Sequence, residues 1–392
     1  MNTGNISVDD RSMLSNLRYI FVVNTVGPFG GAERQALILA DYLKTNVSRH
    51  VKFLALEDGQ EFRQKLESKG IEIIVFPFKH HSGKLKKVFN YYRLIKLLKK
   101  EKPDVLIPYV AESNKVVAQI WSFSGARFAF WNQREEGRNL YGTSHEKNLI
   151  NKVPSIVSNS FEGKNALIKA YGLTEGRITV INNGVIPYMG DIQKIDWHKK
   201  LGVDPGRPLV AMIANITERK DHDTLIRAWS EVIRSCRQAE EQLPFLILAG
   251  RKARTYDQLR LLAFDLKLSD HIAFTGSLKN VQELIEAMDF CVFSSNLEGC
   301  PNGVLECMER GKTVVGTHIS GMEQALGLKY KKHVLVPPND YKTFSDKVLG
   351  ILRDPKLKQD IGDYNKKRIS SEFSVQKMAD THLKLVEKGL RQ

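Results

Sequence analysis

The chain has 392 residues, 42% hydrophobic and 26% charged, and a formal net charge of +15. This is the composition of a folded protein long enough for two ordinary domains, which excludes a disordered or fibrous chain. Its uncharged apolar runs are strand-sized, short of the roughly 20 residues a membrane-spanning helix needs, and the first 17 residues lack the apolar core of an export signal.

Apolar runs alternate with helical patterns along the sequence. In order, they predict a strand at 19–26, a helix at 32–44, a strand at 51–56, a helix at 61–69, a strand at 71–76 and a helix at 85–100. A strand at 105–109, a helix at 113–121, strands at 127–131 and 155–158 and a helix at 162–171 follow. The pattern pauses from Asn182-Asn183-Gly184-Val185-Ile186-Pro187 to Pro208. It resumes with a strand at 209–214, a helix at 224–235, a strand at 245–248, a helix at 256–266 and strands at 272–274 and 290–293. A helix at 305–310 and strands at 313–316 and 334–336 complete it, and a last helix at 375–390 has no strand after it. Continuous apolar strands separated by helices predict parallel sheets covered on both faces. The expected fold class is α/β: two doubly wound, Rossmann-like domains at 1–187 and 188–371, facing a central cleft at their strands' carboxyl ends. Residues 372–392 would cross back to the first domain.

The positive charge asks for an anionic partner, and it is concentrated. From 79 to 102, Lys or Arg stands at 79, 84, 86, 87, 93, 96, 99, 100 and 102 against the single acid Glu101. Leu85, Val88, Phe89, Tyr92, Ile95 and Leu98 recur among them at helical spacing. Two readings stand: a basic amphipathic helix on an anionic membrane surface, or a helix with its apolar stripe in the core and a solvated basic back. No RNA-binding or helix-turn-helix signature accompanies the charge, so nucleic acid is not an expected partner. Cys236, Cys291, Cys300 and Cys307 lack CxxC spacing and read as reduced thiols of a cytoplasmic protein. His80-His81 has no third metal ligand near it in sequence.

Four segments carry chemistry. The first strand runs into Gly27-Pro28-Phe29-Gly30-Gly31-Ala32-Glu33, where Gly30 and Gly31 expose backbone N–H groups at a helix start. That is either an anion-binding turn or an ordinary strand–helix connection. After the strand at 209–214 comes Asn215-Ile216-Thr217-Glu218-Arg219-Lys220, where Arg219 and Lys220 could neutralise a departing diphosphate without a metal. Asp221-His222-Asp223 has the Asp-x-Asp spacing of a cation site but opens a helix, where Asp is favoured as a cap. Last, Glu298-Gly299-Cys300-Pro301-Asn302-Gly303-Val304-Leu305-Glu306 sets two carboxylates with seven residues between them across a strand–turn–helix. The N–H groups of the helix start lie between them, an arrangement suited to hydroxyls and phosphates together. Glu306 stands in a segment built for burial, so its charge needs a partner, and vicinal ribose hydroxyls provide one.

Over nearly its whole length the chain resembles the retaining GT-B glycosyltransferases of group 1, family four. The resemblance rests on Gly30-Gly31-Ala32-Glu33, Ser158-Asn159-Ser160, Asn183-Gly184-Val185, Arg219-Lys220-Asp221-His222, Phe274-Thr275-Gly276, the Glu298-x7-Glu306 block and the run from Gly311 to Gly316. It implies a nucleoside-diphosphate-sugar donor on the second domain and an acceptor on the first. Glu306 would hold the ribose. Lys220 and Arg219 would hold the diphosphate with the N–H groups of Asn302, Gly303 and Val304. Glu298 would contact the donor sugar, Gly276 and Leu278 would border the base, and Gly30-Gly31 would cover the phosphates. No metal and no other cofactor is implied. Three departures stand out. Asn132-Gln133-Arg134 occupies the place of a customary His near the donor sugar, which makes these three candidates for the acceptor or sugar side. Asn215 replaces a customary Arg, and Ser320-Gly321-Met322-Glu323 replaces a Gly-Gly before the late acid.

The expected function is therefore retaining, metal-independent transfer of a sugar to a glycan or lipid-linked acceptor in surface polysaccharide biosynthesis. The enzyme would work in the cytoplasm or peripherally on the membrane's inner face. The alternatives are another GT-B activity, such as nucleotide-sugar epimerisation, and a non-catalytic GT-B partner subunit.

Overall fold

The structure is a computed structural model that describes residues 8–24, 30–57, 59–78, 83–188, 190 and 195–392. It divides into two compact units, Met1–Ile186 with Phe373–Gln392, and Pro187–Glu372. The sequence motifs Gly27-Pro28-Phe29 and His80-His81 lie outside the described residues.

The first unit holds strands β1 (Tyr19–Val23), β2 (Val51–Ala55), β3 (Glu72–Val75), β4 (Val105–Tyr109), β5 (Phe128–Gln133), β6 (Ser155–Ser158) and β7 (Ile178–Val180). They form one sheet in the order β3-β2-β1-β4-β5-β6-β7. Its pairings are parallel, with Tyr19 opposite both Val51 and Val105. Its helices are α1 (Val8–Ser15), α2 (Gly31–Asn46), α3 (Gln60–Ser68), α4 (Lys84–Glu101), α5 (Ala111–Ile120), α6 (Ser144–Lys152) and α7 (Phe161–Tyr171). All five residues of β1 are buried, because alternate side chains feed two cores. Tyr19, Phe21 and Val23 join Leu39 and Leu43 of α2 on one face; Ile20 and Val22 join Leu94 and Leu98 of α4 on the other. The chain's last helix shares the first of these cores through Ala379, Leu383 and Val386.

The second unit holds β8 (Leu209–Ile213), β9 (Phe245–Ala249), β10 (Ile272–Gly276), β11 (Phe290–Phe293), β12 (Val314–Thr317) and β13 (Leu335–Val336), ordered β10-β9-β8-β11-β12-β13 and parallel. Its helices are α8 (Trp197–Leu201), α9 (His222–Gln238), α10 (Tyr256–Asp265), α11 (Val281–Ala287), α12 (Asn302–Glu309), α13 (Ser320–Leu326), α14 (Lys331–Val334), α15 (Tyr341–Arg353) and α16 (Pro355–Glu372); α17 (Val375–Arg391) returns to the first unit. α9 shows why such helices form. Leu225, Ile226, Trp229, Val232 and Ile233 recur at helical spacing and are buried.

In both sheets the order reverses beside the first strand, between β1 and β4 and between β8 and β11. Connections leave such a point in opposite directions and open a crevice at the strands' carboxyl ends, where open α/β sheets take their ligands. That places the loop after β8 and the loop after β11 side by side.

Helix α4 answers the question its sequence left open, and the answer divides the helix. Leu94 and Leu98 enter the core, whereas Leu85, Val88, Phe89 and Tyr92 stay in solvent. Elsewhere, β5 runs two residues past the predicted strand end, so Asn132 and Gln133 lie inside it. The short β7 and the helices α1, α6, α8, α11, α13, α14, α15 and α16 were not expected from the pattern.

Candidate active site

The reversal point of the second sheet brings together what the sequence sets 78 positions apart: Lys220 Nζ pairs with Glu298 Oε1. Lys220 closes a 3₁₀ turn, Glu218–Lys220, after β8, and Glu298 lies in the loop after β11. The two loops are pinned through their backbones as well. Asn296 N–H donates to the Arg219 carbonyl (2.8 Å), and the Ser294 hydroxyl donates to the Lys220 carbonyl (3.0 Å). The pair is screened but reachable, with side chains 25% and 13% exposed. Arg219 and Asn215 are exposed beside it.

Helix α12 begins at Asn302 after Pro301, and its first internal bond is Leu305 N–H to the Pro301 carbonyl (3.2 Å). The N–H groups of Asn302, Gly303 and Val304 thus stand outside the helix's own ladder, at its positive end. Glu306 is half-buried on the next turn, between the buried Leu305 and Cys307. Two glycines set this geometry. A Cβ on Gly303 would lie 2.6 Å from the Ile213 carbonyl oxygen, so the first turn of α12 sits on the end of β8. A Cβ on Gly321 would lie 2.3 Å from the Glu298 carbonyl oxygen and 2.5 Å from that of Gly299. Both neighbours are backbone and cannot swing aside, so Gly321 fixes the height of the Glu298 turn. Gly321→Ala is expected to cost about 1–3 kcal/mol of stability and to depress activity with it. Gly350→Ala, in a helix with nothing within 4 Å, is the control and should be neutral or stabilising. Chemical denaturation and initial rates on both variants check this.

Sequence reasoning passed over Gly321 as a structural determinant, and also Ser294 and Asn296. Ser294-Ser295-Asn296 follows four apolar strand residues directly, and that abrupt polar triplet was the available signal. The loop after β9 was missed too. Arg251 N–H bonds Asn215 Oδ1 (3.2 Å) and the Arg251 carbonyl accepts from Ile216 N–H (3.0 Å), so Asn215 ties this cationic segment to the Lys220 loop. Gly276 ends β10, two strands from β8 and so about 10 Å across the sheet, with Leu278 two residues on. Glu323 pairs with His318, and both side chains are partly exposed.

Asp221 caps α9, accepting from Thr224 N–H (3.3 Å), and its backbone is left-handed (φ 46°). Its carboxyl is held above the usual range by burial, with the Thr224 hydrogen bonds opposing. Among the described residues, no three His, Cys, Asp or Glu side chains gather as a metal ion would require. All four cysteines are free thiols, three of them buried.

The first unit has a polar interior at the ends of β4, β5 and β6. Arg134 is nearly buried, its guanidinium 5.1 Å above the Tyr109 ring and bonded to the Asn183 side chain, while Asn159 donates to its carbonyl (3.3 Å). Asn132 is fully buried, with its backbone clamped by Asn114 (2.8 and 3.0 Å). Gln133 donates to the Glu135 carbonyl (3.0 Å). The Asn132 amide and the Tyr109 and Ser113 hydroxyls are buried without a hydrogen bond of ordinary geometry. Val110, joining β4 to α5, takes φ 72° and ψ 160°, costly for a β-branched residue and tolerated mainly at functional sites. Gly30 and Gly31 precede Glu33 on the first turn of α2. The Glu33 carboxyl is raised by burial; backbone hydrogen bonds oppose that rise and the nearby charge of Glu135 adds to it.

Two parallel sheets of reversed order are the layout of a GT-B fold, and the Lys–Glu pair lies beside a helix start at the second sheet's reversal point. Comparison with known families agrees. Residues 193–368 match the model for glycosyl transferases group 1, and residues 29–187 match that for glycosyltransferase family 4. The chain belongs to the group 1 GT-B glycosyltransferases, and it is a glycosyltransferase. One relative is the N,N'-diacetylbacillosaminyl-diphospho-undecaprenol alpha-1,3-N-acetylgalactosaminyltransferase of Campylobacter jejuni, 24% identical over 89% of this chain and 94% of that protein. Another is the lipopolysaccharide core biosynthesis glycosyltransferase LpsE of Rhizobium meliloti, 24% identical over 92% and 96%. Among solved structures, Anabaena Alr3699/HepE in complex with UDP superposes with a TM-score of 0.79 at 18% identity, covering 94% of this chain and 99% of that one. That likeness is one of fold.

Proposed function

We propose that the protein transfers a sugar, with retention and without a metal, from a UDP-sugar to a lipid-linked or glycan acceptor in surface polysaccharide biosynthesis. The observation that carries this reading is the Lys220–Glu298 pair at the sheet's reversal point, beside the N-terminus of α12. UDP is the first donor to test because solved structures of HepE hold UDP and UDP-glucose. The acceptor class follows from the Campylobacter relative, whose name describes a diphospho-undecaprenol-linked sugar as its substrate. The domains divide as the sequence suggests, 1–187 for the acceptor and 188–371 for the donor, with 372–392 bracing the first. The enzyme works in the cytoplasm, peripherally on the inner face of the membrane.

Lys220, with Arg219, takes the diphosphate, and the N–H groups of Asn302, Gly303 and Val304 share its charge. Glu306 holds the ribose, Glu298 the donor sugar, and Gly276 and Leu278 border the base. Gly30 and Gly31 offer further N–H groups to the phosphates, and Asn132, Gln133 and Arg134 serve the acceptor or sugar side. The sugar's bond to the diphosphate breaks while its bond to the acceptor oxygen forms on the same face. The acceptor's proton passes to the departing phosphate oxygen, so the protein's task is charge neutralisation and positioning.

Glu306→Ala is expected to weaken UDP binding by roughly 10- to 100-fold, the loss of hydrogen bonds to a charged group. Calorimetry reads this directly, and unchanged affinity would remove Glu306 from the donor site. A thermal-shift panel of UDP-, GDP- and ADP-sugars fixes the base, since binding stabilises the fold by an amount that rises with the logarithm of the affinity.

A further inference from the structure

Helix α4 carries two apolar stripes, and only one faces the sheet. Leu94 and Leu98 are buried among Ile20, Val22 and Leu54. Leu85, Val88, Phe89 and Tyr92 follow i, i+3, i+4, i+7 spacing, and at about 100° per residue they fall on the opposite side of the helix. They are 88%, 67%, 59% and 62% exposed. Exposed apolar residues scattered singly are ordinary, but four in a row on one helix face are not. Cations surround them: Lys86 and Arg93 beside the stripe, and Lys96, Lys99 and Lys100 continuing it on the same side, all exposed. The helix's only acid, Glu101, is drawn aside to Lys52 (2.9 Å). Among the described residues, no helix is long and apolar enough to cross a membrane.

We infer that the N-terminal half of α4 is a membrane-docking surface. Leu85, Val88, Phe89 and Tyr92 enter the headgroup–acyl boundary of an anionic bilayer with the helix lying flat, and the lysines and Arg93 meet lipid phosphates. Charge complementarity selects this occupant. A second copy joined by the same face would set cation against cation across a two-fold axis. Nucleic acid would use the charge and leave the apolar stripe in water. A bilayer with anionic headgroups takes both, the lysine stems lying along the apolar layer while their ammonium ends stay wet. This docking surface rests on the peripheral membrane location proposed above and gives it a structural basis, and it does not depend on the donor or acceptor of the transfer reaction.

The test is flotation of the full chain with phosphatidylglycerol–phosphatidylcholine vesicles against pure phosphatidylcholine vesicles, at low and high salt. The wild type is expected to float with the anionic vesicles only, less at high salt. Leu85→Ser with Phe89→Ser should weaken that binding by about tenfold or more, while thermal unfolding and transfer to a short water-soluble acceptor stay unchanged. Lys86→Glu with Lys96→Glu should abolish the preference for anionic vesicles. The surface is overturned if the wild type ignores anionic vesicles or if the serine variant binds as the wild type does. It is equally overturned if sedimentation reveals a dimer that the serine variant disrupts, because the face then joins copies. Vesicle binding by a protein that transfers no sugar would refute the proposed function and leave this surface standing.

Discussion

Lys220→Ala is expected to lower kcat for sugar transfer by about two to three orders of magnitude, with a smaller rise in KM for the donor. Negative charge grows on the diphosphate as its bond to the sugar breaks, and in the proposed site the Lys220 ammonium is the group placed to neutralise it. Removing one preorganised donor aimed at such a charge costs about 2.7–4 kcal/mol in comparable sites. The ammonium meets charge in the ground state as well, which is why KM moves, but the charge is larger in the transition state, which is why kcat moves more. The substitution also leaves the Glu298 carboxylate, 13% exposed, without its cation. Stability should nevertheless fall by less than the 3–5 kcal/mol typical of a fully buried pair, since the Lys220 side chain is 25% exposed. Lys220→Arg keeps the charge on a longer, planar head and should recover part of the rate. Steady-state kinetics beside a denaturation curve separate the effects. A Lys220→Ala enzyme within a few-fold of wild-type kcat would show that the diphosphate's charge is met elsewhere.

Why this site was legible before its geometry was known comes down to strand ends. Residues 209–214 and 290–293 are uninterrupted apolar runs, each followed at once by a polar residue, so Lys220 and Glu298 could be placed at the carboxyl edge of one sheet. That the two would touch was not in the pattern. Contact requires β8 and β11 to be neighbours, and strand order comes from the path of the helices, which periodicity does not encode. The Gly321 constraint was hidden for a related reason, because it exists only once α13 lies on the Glu298 turn. β7 escaped notice because three residues, Ile178–Val180, carry too little periodicity to register. Helix α4 shows the opposite difficulty. Its apolar residues occupy more than one face, and periodicity alone cannot say which face a sheet will cover. Arg134 and its neighbours illustrate the last gap, since burial of Asn132 and Gln133 followed from β5 running two residues further than its apolar portion.

Acidification is expected to weaken both units between pH 6.5 and pH 4, and two buried histidines account for much of the loss. His222, at the start of α9, is 2% exposed, and His382, in α17, is 1% exposed. Each is pushed down to about 4, His222 by burial and then by the charge of Lys220. For His382, burial dominates, a hydrogen bond to the Met378 carbonyl opposes it, and Arg134 adds to the depression. In the unfolded chain a histidine titrates near 6.5. Between about pH 6.5 and 4 the unfolded state therefore binds protons that the folded state refuses, so stability is complete above that window and drains away as pH falls through it. The whole interval corresponds to roughly 3 kcal/mol per histidine, one in each unit. His271, between Arg207 and Arg237, is lowered chiefly by burial and pulls the same way. Phenylalanine is the informative replacement. His382 already packs edge-on against Phe130 (5.6 Å between ring centres), and neither nitrogen of His222 has a hydrogen-bond partner to lose. His222→Phe with His382→Phe should hold stability near wild type at neutral pH and flatten the fall between pH 6.5 and 5, above the range in which ordinary carboxylates titrate. Urea midpoints across that range decide the matter. A wild-type midpoint that stays level, or a double variant that falls as steeply, would mean that these rings are not held neutral by their burial.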